Sequence, residues 1–246
     1  MATIMVAPLD RAAAERRFYS RMALFMVAIV FLGFAPSFYL RGLVHVPRPN
    51  PTLPASVLIH GSLFTLWMLV FVAQTQLVAA GRRDLHRKLG KASFVLALAI
   101  IPLMYLVGVW QVSRANQPPF TDPLNWTVVP LLGIPIYAYL LWIGWSRRRE
   151  STTHKRAMLC AALMLMDPAI GRFPIGPPML AVFGATSALA LATYIPLVLH
   201  DRKLMGRVHP VTKLAVTLVA AMMLVRMIFL ATGSWAPIAR HLPGIG

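Results

Sequence analysis

Acidic residues are scarce in this chain. Seven Asp and Glu stand against 24 Lys and Arg in 246 residues, and charged residues make up only 13%. A soluble domain carries roughly 25% charged residues, so a solvated globular fold is excluded. Cysteine is almost absent too. The single Cys160 lies inside an apolar block, which leaves no intramolecular disulfide and no metal site built on several thiolates. Walker A, Gly-x-Gly-x-x-Gly and Gly-x-Ser-x-Gly sequences are missing, and with them the signatures of nucleotide-driven pumps and triad hydrolases. No His-x-x-x-His, His-x-x-His-His or His-Glu-x-x-His occurs, so desaturase, hydroxylase and zincin chemistry lack their ligand spacing.

What the chain has in abundance is apolar surface. Hydrophobic residues make up 58% and fall in blocks of about 20, the length a helix needs to cross a hydrocarbon core of roughly 30 Å. The expected fold is an all-α polytopic transmembrane bundle, one domain over 21–240 behind a basic cytoplasmic tail at 1–20. The blocks place spans at 21–40, 54–80, 91–112, 126–146, 157–173, 179–200 and 211–232. Arginines precede the first block and no small-residue cleavage motif follows it, which marks it as a retained signal anchor. Trp126, Trp142, Trp145 and Trp235 fall near span ends, as interfacial tryptophans do.

The net charge of +17 raises a nucleic-acid reading, but the cations lie in short runs between apolar blocks. One set of alternate segments holds Arg11, Arg16, Arg17 and Arg21; Arg82, Arg83, Arg87, Lys88 and Lys91; Arg147, Arg148, Arg149, Lys155 and Arg156; and Arg202, Lys203, Arg207 and Lys213. The other holds Arg41, Arg48, Arg114, Arg172, Arg226 and Arg240. A split of 18 against 6 orients the N-terminus inward and the C-terminus outward by the positive-inside rule. Anionic lipid headgroups of a bacterial inner membrane, not nucleic acid, are then the counter-charge.

The fifth span is the weak one. Pro168 interrupts it after eleven residues, about 16 Å of helix, and 167–178 is rich in breakers. A re-entrant 157–173 would turn 202–213 outward and reduce the split to 14 against 10, so the charges favour a kinked crossing.

Polar groups at membrane depth are costly and mark candidate sites. His60, Trp67 and Gln74 stand seven apart on span 2 and form one stripe, either packing by hydrogen bonds or contacting a cofactor. Asp167, Arg172 and Arg226 form a second group. One carboxylate cannot neutralise two guanidiniums, so the remaining cation either snorkels to headgroups or takes a substrate carboxylate, a phosphate or a haem propionate. A third group comprises the inner-face histidines His86, His154, His200 and His209. They are either headgroup contacts or ligands, whether for a transition metal or as an axial pair for haem b. Met158, Met164 and Met166 flank Cys160, a soft-donor set that would suit Cu(I) if it converged. Three inner segments each set a histidine shortly before the next helix (85–90, 153–158, 208–213), which suggests degenerate hairpin repeats.

Several blocks carry a resemblance. His60-Gly61, Trp67, Gln74 to Arg82 and Leu85-His86-Arg87 with Leu89-Gly90 are joined by His154 to Met158, Asp167 to Arg172 and Gly206 to Pro210. Together they resemble a family of bacterial inner-membrane proteins of unknown function, over roughly 54–240. The resemblance implies a helical membrane fold and no particular activity.

Three functions fit these residues. The leading one is a haem- or metal-binding membrane protein in a redox or respiratory-accessory role. The second is a small-anion transporter or channel, motivated by Asp167 beside a broken helix. The third is a non-catalytic subunit held in a membrane complex by a partner.

Overall fold

The computed structural model describes residues 8–44 and 50–245. Residues 1–7 of the expected tail, 45–49 with Arg48 of the charge count, and Gly246 lie outside them, as do the side chains of 8–11. The protein is all-helical, with no strand among the described residues. Six helices are long and apolar enough to cross a membrane: Ala12–Tyr39, Ala55–Ala79, Arg83–Arg114, Pro123–Ser146, Leu180–Met205 and Pro210–Thr232. It is therefore a multi-pass integral membrane protein.

Prolines set the articulation of these rods, since each removes a backbone donor. Helix α1 (Pro8–Phe34) runs on into a π-helical turn, Ala35–Tyr39, with Pro36 at its start. Thus α1 already occupies much of the tail expected at 1–20. Pro54 caps α2 (Ala55–Ala79), and α3 (Arg83–Arg114) tolerates Pro102 in its interior. The fourth rod is three pieces, α4 (Pro123–Trp126), α5 (Val128–Leu131) and α6 (Gly133–Ser146). After α7 (Ser151–Met164) and α8 (Asp167–Ile170), the sixth apolar block is two pieces, α9 (Leu180–Ala192) and α10 (Ile195–Met205), with Pro196 at the second start. Then α11 (Pro210–Thr232) follows Gly206, which takes φ +71° to end α10. The short α12 (Ala236–Ala239) closes the chain.

The segment expected as the fifth span is a different object from the six rods. Its 14-residue helix α7 packs against α6 and α11, and Leu159 to Met166 are all buried. It forms the core of the bundle. Small residues let its neighbours close in: Ala157, Cys160, Ala161 and Ala162 are 0% exposed, as small side chains permit between membrane helices.

This central segment also measures the depth of the bundle. At one end Lys155 Nζ pairs with Glu15 of α1 at 2.6 Å. At the other the Arg172 guanidinium lies 4.3 Å over the Phe34 ring. Glu15 to Phe34 is about 28 Å of helix at 1.5 Å per residue. Residues 155–172 therefore reach, through the side chains at their two ends, from Glu15 to Phe34 of α1.

Candidate functional site

Two ionic nodes, one fully and one partly buried, lie at opposite ends of the central segment. At the far end Asp167, the first residue of α8, accepts from Arg226 Nη1 of α11 at 2.7 Å. Arg226 is buried, and Gly133 of α6 gives it room: a Cβ there would stand 3.1 Å from Nη2. The cation left over is Arg172, and it is engaged. Its Nη1 donates to the Pro168 carbonyl, and its plane lies over Phe34. The helix break that frees that carbonyl thus receives its own donor.

The near-end node is one the sequence did not point to. Arg156 and Asp201 are both 0% exposed and pair through Nε and Oδ1 at 2.7 Å. Asp201 Oδ2 accepts from Thr212 Oγ1 at 2.7 Å and from the His209 backbone at 3.0 Å. Arg156 Nη1 donates to the Thr152 carbonyl at 2.9 Å, and Glu15 lies 4.0 Å from Nη2. Three helices, α7, α10 and α11, are tied together by one carboxylate. In the sequence Arg156 stands among the loop cations and Asp201 directly follows His200. The available signal was that Asp201 is one of very few acids, so a cation near membrane depth would seek it.

The four inner-face histidines separate into different environments. His86 of α3 and His154 of α7 face each other, with ring centroids 6.3 Å apart and planes at 79°. His154 Nδ1 donates to the Gly144 carbonyl at 2.7 Å. Oriented to satisfy both its ends, the Gln74 amide donates to His86 Nδ1 and accepts from the Gly90 backbone at 2.9 Å. Both Nδ1 atoms are thereby occupied. Burial holds the His154 pKa below the ordinary histidine value, with the Gly144 hydrogen bond opposing it, so this imidazole is neutral at pH 7.

His200 and His209 belong to the ionic node instead. His200 stacks face to face on Phe18 at 3.9 Å. His209 caps α11, its Nδ1 accepting from the Val211 backbone at 3.2 Å. Among the described residues no group of three or more His, Cys, Asp or Glu side chains is placed to hold a metal ion. The four histidines are therefore not brought together, and only His86 and His154 have adjacent rings.

The stripe on α2 keeps one face but enters three surroundings. His60 lies toward the far end, where its Nδ1 is buried without a hydrogen-bond partner among the described residues. Trp67 is a core residue packed on Phe71 and Tyr137, at 5.7 and 6.2 Å between centroids. Gln74 reaches His86. The soft donors of α7 do not converge: Met158 lies against Gly144 and Met164 against Gly133, about 16 Å apart along α6. The chain matches none of the protein-family models, curated proteins or solved structures with which it was compared.

Proposed function

We propose that this is a multi-pass protein of the bacterial inner membrane whose His86–His154 pair binds a transition-metal centre in a redox or respiratory-accessory role. The chain then crosses seven times, N-terminus inside and C-terminus outside, with the central segment as the fifth crossing. The inward charge excess supports this orientation, and the run of 155–172 alongside Glu15 to Phe34 of α1 supports the fifth crossing.

One observation carries the metal reading: the placement of the two rings. With centroids 6.3 Å apart, the two imidazoles would be the residues to hold such a group, a transition-metal ion or haem b, which would supply redox chemistry there. For His154 the outer contact agrees: a metal-bound histidine ordinarily donates its second ring N–H to a carbonyl or carboxylate, as His154 Nδ1 does to Gly144.

The test is the absorption spectrum and metal content of the protein purified in detergent. A Soret band, or one equivalent of a transition metal, is expected, and His86→Ala or His154→Ala should each abolish it. His209→Ala, which removes only a helix cap, should leave it intact. Absence of both a Soret band and stoichiometric metal from the wild-type protein would sink the proposal.

A further inference from the structure

A cleft of about 350 Å³ opens between α1 and the end of α2, lined by Arg16, Arg17, Ser20, Arg21 and Leu24 with Gln76 opposite. The cleft is at the same end of α1 as Glu15, the end that meets Lys155. It carries three guanidiniums within two helical turns. Among the described residues none of the three has a carboxylate partner, and the adjacent acid, Glu15, is held by Lys155 at 2.6 Å. Uncompensated like charges this close repel one another unless an anion lies between them. The Ser20 hydroxyl adds a donor: its oxygen is buried and has no hydrogen-bond partner among the described residues.

The geometry points to a binding site for the phosphate of an acidic phospholipid headgroup in this cleft. Guanidinium groups offer paired N–H donors that match two phosphate oxygens, and the Ser20 hydroxyl and Gln76 amide supply neutral donors. Leu24 continues the lining along α1 into the apolar part of the helix, where acyl chains would lie. A free phosphate would find the same donors but no use for that apolar wall. This site rests on the membrane reading and is independent of the histidine pair.

Native mass spectrometry of the protein in detergent, titrated with phosphatidylglycerol, phosphatidylethanolamine or inorganic phosphate, tests it without reference to topology or metal. One equivalent of phosphatidylglycerol should be retained, about tenfold more tightly than phosphatidylethanolamine, whose ammonium offsets its phosphate. Arg16→Ala/Arg17→Ala/Arg21→Ala should weaken it on the order of 100-fold. The charge-matched Arg202→Ala/Lys203→Ala/Arg207→Ala should change it less than about threefold. An equal loss in both triple variants would overturn the site in favour of diffuse attraction. Displacement of the lipid by millimolar inorganic phosphate would overturn the lipid assignment. Arg→Lys at the three cleft positions preserves the charge if the alanine variant misfolds. It should weaken binding about tenfold through loss of bidentate contacts, and unchanged affinity there would equally overturn the site.

Discussion

Asp201→Ala should lower the unfolding free energy by about 3–5 kcal/mol, the cost of removing one partner from a buried ion pair. The penalty comes from what stays behind. Arg156 has no exposed surface, so its guanidinium cannot turn to water when its carboxylate is removed. The Thr212 hydroxyl and the His209 backbone N–H lose their acceptor in the same step, each a further unsatisfied donor. For a domain of this size the loss corresponds to a fall of roughly 6–20 °C in the unfolding midpoint, readable by thermal unfolding in detergent. Replacing both partners with apolar residues, Arg156→Met with Asp201→Leu, should recover most of that loss, because the stranded charge is then gone. A single-variant cost below about 1 kcal/mol would mean that water reaches the pair.

Gly33→Ala should cost about 3 kcal/mol, the upper end for overpacking. A Cβ at position 33 of α1 would overlap the Ala169 carbonyl oxygen of α8, with the attached carbon at 2.7 Å and Cα at 2.8 Å. These are backbone atoms, so no rotamer change relieves the overlap and the two helices must separate. Asp167 lies on the same short helix, and its bond to Arg226 would be strained with it. Gly144→Ala is the matched control. Its Cβ would meet the Met158 side chain, with Sδ at 2.6 Å, and a flexible thioether can move aside. That variant should cost less than about 1.5 kcal/mol. Equal midpoints for the two variants would show that α1 and α8 are not in backbone contact.

The long rods were legible because lipid leaves a chain few choices: a block of about 20 apolar residues must be a helix. The Asp167–Arg226 pair was legible for a related reason, since a carboxylate inside such a block needs a cation. The Arg156–Asp201 pair was hidden by its neighbours. Each partner adjoins a run of loop charges, and Arg156 looks like one more topogenic cation until the structure buries it. The break at Pro168 could be read, but not that the segment before it forms the core, because Met- and Ala-rich helices suit both lipid and protein neighbours. Span 2 shows the limit of periodicity. Its heptad spacing puts His60, Trp67 and Gln74 on one face, but depth decides that one meets a polar end, one the core and one a histidine.

The claim that the broken segment crosses as the fifth of seven spans is tested most directly by thiol accessibility in intact cells. Cys160, buried and unpaired, is first replaced by alanine, and single cysteines are introduced by Arg148→Cys, Ile175→Cys and Lys203→Cys at exposed positions. A membrane-impermeant maleimide should label position 175 from outside, and positions 148 and 203 only after permeabilisation. Positions 148 and 175 found on the same side, with 203 on the other, would show that 157–173 turns back within the membrane and would contradict the account.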